Sequence, residues 1–295
     1  MLEIKEGDNR LGIYPKLGGS IAFWLRRNVP IFYPIVNSHL TMQSNQIIAA
    51  YPLLPYSNRI AGGQFDFANH HYQLLSNASN GRDAIHGNAW QKEWSLEMLA
   101  KNSVTLSLHH QPVDELAKEW PFSYYAQVNY TLSREGLMVS LYFKNTDHDN
   151  QPVGLGFHPY FPCRNKVELG FAAQSVWNND ENGLPQGRMS IKGRWDFAKM
   201  KELQNSESLD NCYAGWNQIA FMRWLYSDIY LTMTASSIFQ HLVLFTPQNQ
   251  SYFTLEPATN MNNAINMSEI SDRGLTILRP GESVEGKINY VFTGF

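Results

Sequence analysis

The stretch AQVNYTLSREGLMVSLYF, residues 126–143, decides the class of fold. Apolar and polar residues alternate on both sides of a central Ser-Arg-Glu-Gly, and the apolar ones are Val128, Tyr130 and Leu132 before it and Leu137, Val139, Leu141 and Phe143 after it. Alternation with a period of two is typical of a strand that buries one face, so the stretch predicts a β-hairpin. We expect Gly136 to adopt the left-handed conformation in the turn, because glycine has no Cβ.

Short apolar runs of the same kind recur along the chain, and turn signals such as Arg279-Pro280-Gly281 separate them. The runs lie at residues 104–108, 229–234, 242–246, 252–255, 275–278 and 288–292. Helical periodicity is limited to residues 113–119 and 196–204. Many short strands at this spacing favour an all-β sandwich or barrel-like fold. The chain shows no repeat, low-complexity segment or linker, so we expect one domain over residues 1–295.

The composition limits the classes of function. Lys and Arg number 23 against 26 Asp and Glu, a net charge of -3, so nucleic acid is not an expected partner. Charged residues are only 17% of the chain and aromatic residues 13%, which suits neutral polar ligands that have apolar faces, such as sugars. The two cysteines, Cys163 and Cys212, are too few for a disulfide framework or a thiolate zinc site, and we expect both to be reduced.

Membrane insertion and export are not expected either. No run approaches the roughly 20 apolar residues that a membrane helix needs. The charged N-terminal sequence MLEIKEGDNR has no apolar segment of the signal-peptide type. The expected compartment is therefore the cytoplasm.

Four stretches place chargeable side chains in otherwise apolar, turn-rich surroundings. They are residues 52–60 with Arg59, 84–87 with His86, 154–161 with His158 and 254–261 with Glu256. Charged side chains are rarely buried without a partner, so His158 and Glu256 are candidates for an acid and a base. The alternatives are an internal ion pair for Arg59 and, for His158, a core histidine that bonds to a carbonyl group.

Sequence templates for metal and phosphate sites are missing. The chain has no His-Glu-x-x-His, no Gly-x-Ser-x-Gly elbow and no phosphate loop. Adjacent histidines, as in His70-His71 and His109-His110, would point to opposite faces of a strand and so chelate poorly. We therefore predict no metal site.

Five motifs resemble those of the aldose 1-epimerase (galactose mutarotase) family and occur in the same order. They are Asn58-Arg59, Ile85-His86-Gly87, Gly156-Phe157-His158-Pro159-Tyr160-Phe161, Leu209-Asp210-Asn211-Cys212-Tyr213-Ala214-Gly215 and Leu255-Glu256-Pro257. The resemblance covers nearly the whole chain. It implies a large antiparallel β-sandwich, the supersandwich, with the sugar in an open cleft.

The resemblance also implies roles for single residues. His158 stands at the position of the family's general acid and Glu256 at that of its general base. Asn58, Arg59, His86 and Asp210 correspond to residues that hold the sugar hydroxyls and the ring oxygen. We expect His158 and Glu256 to flank the space of one pyranose ring, with His158 protonated and Glu256 ionised at rest.

Aromatic side chains are expected to form a wall of the cleft, because the C–H face of a sugar packs on rings. Tyr213 and Phe245 are the favoured candidates. The chain departs from the family's pattern at three places: it has no glutamine near residues 242–245, and Asn211 and Asn260 stand where many relatives have histidine or an acidic residue. These departures leave the identity of the sugar open.

The implied reaction is the interconversion of the α and β anomers of a free hexose. To open the ring, O1 loses a proton while O5 gains one, so the reaction needs one base and one acid and no cofactor. One alternative is a hexose-phosphate epimerase, for which Arg82, Arg164 and Lys166 are candidate phosphate ligands. A second alternative is a sugar-binding or sensing module without turnover. The expected partner is the sugar alone, and the expected state is a monomer or homodimer.

Overall fold

A computed structural model of the chain describes residues 1–33, 48–163, 166–203, 208–225, 227 and 229–293. The described part consists mainly of β-strands, as the alternation predicts. Their bounds are β1 Leu2–Glu6, β2 Asn9–Tyr14, β3 Ser20–Arg26, β4 Val29–Pro30, β5 Ala50–Leu53, β6 Arg59–Ile60, β7 Gln64–Phe67, β8 His70–Gln73, β9 Ala84–Ile85, β10 Ser95–Leu99, β11 Ser103–His110, β12 Tyr124–Leu132, β13 Gly136–Asn145, β14 Gln151–Val153, β15 Gly156–Pro162, β16 Val167–Phe171, β17 Ser175–Asn179, β18 Pro185–Met189, β19 Lys201–Glu202, β20 Leu209–Ala214, β21 Ile219–Trp224, β22 Ile229–Ala235, β23 His241–Thr246, β24 Tyr252–Ala258, β25 Thr276–Leu278 and β26 Ser283–Phe292. Short 3-10 helices cover Ala61–Gly63, Ala89–Gln91, Asp114–Lys118, Gly193–Trp195 and Ala264–Asn266.

Two large antiparallel sheets form the sandwich. Within the described residues, the first sheet has 11 strands in the order β1-β2-β3-β5-β15-β24-β23-β20-β17-β18, with β4 beside β3. The second has 9 strands among the same residues, in the order β10-β11-β12-β13-β26-β22-β21-β16-β19. Two-stranded ribbons β6-β9, β7-β8 and β14-β25 lie outside both sheets. The all-β sandwich predicted from the sequence is confirmed, and the expectation of one domain stays a prediction.

Aromatic and aliphatic side chains fill the space between the two sheets. Trp24 on β3 meets Tyr290 on β26 with ring centroids 6.0 Å apart, and Phe161 on β15 meets Trp224 on β21 at 6.2 Å. The Tyr130 hydroxyl on β12 donates to the carbonyl of Gly19 at 2.7 Å, which satisfies a buried polar group across the core. One face of each sheet is therefore used for folding, and the outer face of the first sheet remains for a site.

The hairpin at residues 126–143 forms as predicted. β12 and β13 pair from Tyr124 opposite Asn145 to Leu132 opposite Leu137. All the apolar residues of the predicted pattern are buried on one face. The expected left-handed conformation of Gly136 is wrong, because its φ is not positive. Glycine is needed there for space, since a Cβ at Gly136 would lie 1.8 Å from the carbonyl oxygen of Tyr290 on the neighbouring β26.

The helical expectations are only partly right. Residues 113–119 contain a 3-10 helix, Asp114–Lys118, instead of an α-helix. Residues 196–203 contain no helix and end in the short strand Lys201–Glu202, so that prediction is wrong for the described part of the segment. Residue 204 lies outside the described residues. Phe197 and Leu203 of this segment pack into the sandwich core, where burial decides the conformation.

Two further expectations concern cysteines and membranes. Cys163 and Cys212 are both buried thiols, as the sequence predicts. Within the described ranges, no helix has the length and apolar character needed to span a bilayer.

Replacing Gly136 by alanine should destabilise the sandwich by at least about 2 kcal/mol, because the added methyl group must displace the β26 backbone. Gly187→Ala is the matched control, since no described heavy atom lies within 4 Å of a Cβ built there. Urea denaturation of both variants measures the difference. Equal unfolding midpoints for the two would contradict the assignment of close packing at Gly136.

Candidate functional site

His158 and Glu256 meet on the outer face of the first sheet because of strand alternation and register. Their neighbours Phe157 and Leu255 are fully buried in the core, so His158 and Glu256 point the other way. β15 and β24 pair with Gly156 opposite Ala258 and Tyr160 opposite Thr254, and this register sets His158 opposite Glu256. The Nε2 atom of His158 lies 3.3 Å from Oε1 of Glu256. This distance brings the two predicted side chains into direct contact.

Both side chains of this pair are withdrawn from water, being 8% and 3% exposed. Burial raises the pKa of Glu256 to about 8 and lowers the pKa of His158 to about 3, because a low-dielectric environment disfavours the charged forms. Among the described residues, Glu256 Oε2 and His158 Nδ1 have no hydrogen-bond partner. A buried polar atom without a partner needs an explanation, and a catalytic role is one of them.

The charge state expected from the family's roles differs from this finding. We expected Glu256 to be ionised and His158 protonated at rest, whereas burial favours a neutral carboxylic acid beside a neutral imidazole. The two states contain the same number of protons and differ only in which atom of the contact carries one. The pair therefore holds a single transferable proton.

The expected spacing of the pair is also different. His158 and Glu256 contact each other and do not lie on either side of a space for a pyranose ring. The two oxygens that exchange protons in ring opening, O1 and O5, are bonded to the same carbon, C1. Two groups that lie side by side, as these do, can therefore both reach the oxygens of C1.

His86 lies next to the pair and is held by an unusual turn. The backbone N–H of Asn58 donates to His86 Nδ1 at 3.1 Å, and the backbone N–H of His86 donates to the carbonyl of Asn58 at 2.9 Å. Both residues have a φ of 63°, which is uncommon outside glycine and is often found at functional sites. The rings of His86 and His158 meet edge to face with centroids 5.2 Å apart.

The contact with Asn58 fixes the tautomer of His86. Burial, helped by nearby His158 and Arg59, lowers the pKa of His86 well below its ordinary value, so the ring is neutral. Because Nδ1 accepts the Asn58 N–H, the ring proton must be on Nε2. His86 therefore presents a donor, Nε2–H, to the site.

The same tautomer argues against a metal centre at this place. Within the described part of the chain, one ligand atom from each of His86, His158 and Glu256 lies within 4.8 Å of the others. A metal ion would need a free lone pair on His86, but Nδ1 already accepts a hydrogen bond and Nε2 carries the proton. In this tautomer the donor set does not fit a divalent cation.

Asp210 and Phe245 extend the site across the sheet, and Arg59 on the ribbon β6-β9 acts on Asp210 from outside it. Asp210 on β20 pairs with Phe245 on β23, and Phe245 pairs with Thr254 on β24. Asp210, Phe245 and Thr254 are therefore on the same outer face of the sheet. Asp210 is accessible to solvent, yet burial by the surrounding protein raises its pKa while Arg59 lowers it. Phe245 is half-buried on the same face, and its place in a cleft wall stays a prediction.

Tyr213 is not part of this face, and its predicted place in the cleft is wrong. It is fully buried, its ring packs edge to face on Phe171 with centroids 4.8 Å apart, and its hydroxyl donates to the carbonyl of Trp195. Tyr213 is an odd number of residues from Asp210 on the same strand, so the two side chains point to opposite faces.

Other aromatic side chains take the place that we expected of Tyr213. The ring of Tyr51 on β5 packs nearly parallel to the ring of His158, with centroids 4.7 Å apart. The ring of Tyr160 also packs on His158, with centroids 4.6 Å apart. Trp90 stacks on Tyr51 at 5.4 Å and donates its indole N–H to the carbonyl of Gly87. The sequence analysis missed Tyr51. This residue comes just before the Pro52 segment, and the strand register places it opposite His158.

The two asparagines that depart from the family's pattern support the scaffold. Asn260 accepts from the Ser57 N–H at 3.1 Å and donates to the Ser57 carbonyl at 3.0 Å, which ties its loop to the segment before Asn58. Asn211 is buried, accepts from Trp195 Nε1 and donates to the carbonyl of Trp177. Both amides are therefore occupied by protein partners.

The candidate phosphate ligands give no cationic cluster. Arg82 pairs with Asp83 at 3.1 Å, and Lys166 pairs with Glu202 at 3.8 Å, beside β16 of the other sheet. Arg164 lies outside the described residues. Nothing described brings two of these side chains together at the site.

Comparison with known proteins gives the family. The family model described as aldose 1-epimerase matches residues 2–291. The chain belongs to the aldose 1-epimerase family. This membership supports an epimerase, that is an isomerase, that acts in carbohydrate metabolism, with a sugar as substrate.

Individual relatives are similar over almost their whole length. The uncharacterized protein YphB of Escherichia coli K12 is 24% identical over 294 residues, which is 97% of this chain and 96% of that protein. A galactose mutarotase-like protein from Clostridium acetobutylicum has a TM-score of 0.87 at 18% identity, and the alignment covers 99% of this chain and 95% of that protein's chain. A GalM/aldose epimerase homologue from Caenorhabditis elegans has a TM-score of 0.83 at 19% identity, covering 99% and 98%. At these identities the solved structures show the shared fold.

The tautomer of His86 is open to direct measurement. We expect ¹⁵N-correlated imidazole spectra at neutral pH to show the His86 proton on Nε2, because Nδ1 accepts the Asn58 N–H. His86→Gln, which removes the signal, assigns it. A proton found on Nδ1 would contradict the geometry and would restore the cluster as a candidate metal site.

Proposed function

We propose that this protein is a mutarotase that interconverts the α and β anomers of a free hexose by general acid–base catalysis. The contact between His158 Nε2 and Glu256 Oε1 at 3.3 Å is the observation that carries the proposal. It provides one donor and one acceptor side by side, both largely withdrawn from water. A pyranose needs just this: one proton removed from O1 and one delivered to O5.

The reaction begins with proton transfer within the pair. Moving the proton from Glu256 to His158 creates the carboxylate base and the imidazolium acid. The sugar's hydroxyl groups supply hydrogen bonds that the buried carboxylate otherwise lacks, so binding favours this charged form. Glu256 then takes the O1 proton while His158 gives its proton to O5, and the C1–O5 bond breaks. Rotation about C1–C2 and the reverse transfers close the ring on the other face.

The remaining residues hold the sugar. His86 Nε2–H is a neutral donor for a ring or hydroxyl oxygen, and its neutrality avoids repulsion of a protonated His158. Asp210 accepts hydroxyl protons at the solvent side. Arg59 has no ion pair with a described carboxylate within 4.0 Å, so its guanidinium is available to the sugar. Phe245 and Tyr160, both half-buried, offer rings to a C–H face of the substrate.

Replacing Glu256 by glutamine should lower kcat by roughly 10²-fold or more, because the side chain keeps its shape but cannot exchange the proton. Polarimetry on freshly dissolved α-anomers of several hexoses measures the rate. Glu285→Gln on β26 is the matched control, since Glu285 is half-exposed and pairs with Lys287 at the surface. Unchanged turnover of the Glu256 variant would refute the proposed base.

The same assay tests the alternatives. Faster turnover of a hexose phosphate than of the free sugar would favour a phosphate-dependent epimerase. Binding of a hexose without acceleration of mutarotation would favour the sensing module. We expect the protein to accelerate the mutarotation of a free hexose.

The pH dependence of kcat/KM should show a plateau through neutral pH and a fall above about pH 8. The active state of the pair holds one proton. Below the lowered pKa of His158, about 3, the pair gains a second proton, and above the raised pKa of Glu256, about 8, it loses the only one. Ordinary pKa values for the two groups would instead give a bell between about 4.3 and 6.5. A narrow acidic optimum would therefore contradict burial of the pair.

A further inference from the structure

Thr254 forms a direct hydrogen bond with the side chain of Glu256. It precedes Glu256 by two residues on β24, so both side chains are on the outer face of the sheet. Thr254 is fully buried, and its hydroxyl donates to Oε1 of Glu256 at 2.8 Å. A hydroxyl has one hydrogen, so Glu256 takes the whole donor capacity of Thr254.

The two oxygens of Glu256 are made different by this bond. Oε1 accepts from Thr254 and faces His158 Nε2 at 3.3 Å, while Oε2 has no partner among the described residues. The terminal torsion of a glutamate side chain has only broad preferences, so the carboxyl group by itself does not choose which oxygen faces the histidine. The Thr254 hydroxyl supplies the missing restraint.

We propose that Thr254 is a positioning residue that fixes Oε1 of Glu256 against His158 and thereby favours the carboxylate member of the proton-sharing pair. The expected effect of Thr254 on kcat rests on the proposed function. The hydroxyl's selection of one Glu256 oxygen and its stabilisation of the negative charge there can be tested without measuring turnover.

The other titratable groups around Glu256 do not replace this contact. Tyr51 on β5, Tyr160 on β15 and Cys212 on β20 have pKa values raised by burial, so they stay neutral near pH 7. Asp210 on the same β20 raises the pKa of Glu256 by repulsion, in the same direction as burial. Neutral His86 is an edge contact of His158. The Thr254 bond is the interaction that lowers the pKa of Glu256.

The first test follows the ionisation of Glu256 directly by ¹³C NMR of glutamate labelled at the side-chain carboxyl. Glu256→Gln assigns the resonance. In Thr254→Val, which loses the donor and keeps the branched shape, the midpoint of Glu256 should rise by about one pH unit, since a hydrogen bond to a charged group is worth about a tenfold factor. Thr254→Ser, which keeps the hydroxyl, should titrate like the unmodified protein.

The second test is kinetic. Thr254→Val should lower kcat about tenfold with little change of KM, and the alkaline fall of kcat/KM should move to higher pH. Thr254→Ser should restore both. Thr105→Val is the matched control, because Thr105 is also a buried strand threonine but its hydroxyl accepts from Asn129 in the second sheet. It should leave the Glu256 titration and the pH profile unchanged.

The outcomes separate this inference from the proposed function. An unshifted Glu256 midpoint in Thr254→Val, or an equal shift in Thr254→Ser, overturns the positioning role even if the protein is a mutarotase. A shifted midpoint that serine restores supports the role even if no hexose is turned over, and in that case the proposed function alone fails. Circular dichroism of each variant confirms that the comparison is made between folded proteins.

Discussion

The antiparallel register of β15 and β24 is the constraint on which the site depends. It sets His158 opposite Glu256 and Tyr160 opposite Thr254 on one face, and Phe157 and Leu255 in the core on the other. A shift of β24 by one residue would turn Glu256 into the sandwich, away from His158, and Leu255 out of the core. The many buried aromatic contacts of the core therefore also stabilise the geometry of the pair.

Burial gives the pair its chemical character. Two ionisable groups in water would each titrate at an ordinary pKa, but here desolvation raises one pKa and lowers the other, so a single proton is held over a wide range of pH. A group that carries a proton and a group that lacks one are then present together, which is what reversible ring opening needs. The neighbouring rings of Tyr51 and Tyr160 exclude water without adding a charge.

Strain and hydrogen bonding fix the donors around this pair. The reciprocal bonds between Asn58 and His86 hold two non-glycine residues at positive φ and determine which nitrogen of the imidazole carries the proton. Asn260 ties the same segment to the loop after β24. Residues far apart in the chain therefore together fix the orientation of the His86 Nε2–H group.

A large part of the fold could be read from the sequence, because alternation records which face of each strand is buried. The hairpin of β12 and β13 and the runs that became β11, β22, β23, β24 and β26 are found where the pattern placed them. The motif residues that carry the resemblance also gave most of the candidate site. Local patterns failed where long-range contacts decided. Gly136 is selected by the approach of β26, and residues 196–203 form no helix but place Phe197 and Leu203 in the core.

The sequence by itself determined an all-β sandwich, its family, and His158 and Glu256 as acid and base candidates. Only the tertiary structure decided that these two side chains touch and share a proton, that Tyr213 faces the core while Tyr51 faces the histidine, and that Thr254 selects an oxygen of Glu256. The reason is physical. Alternation and motifs are properties of neighbouring residues, whereas desolvation, tautomers and hydrogen-bond partners depend on which strands lie side by side.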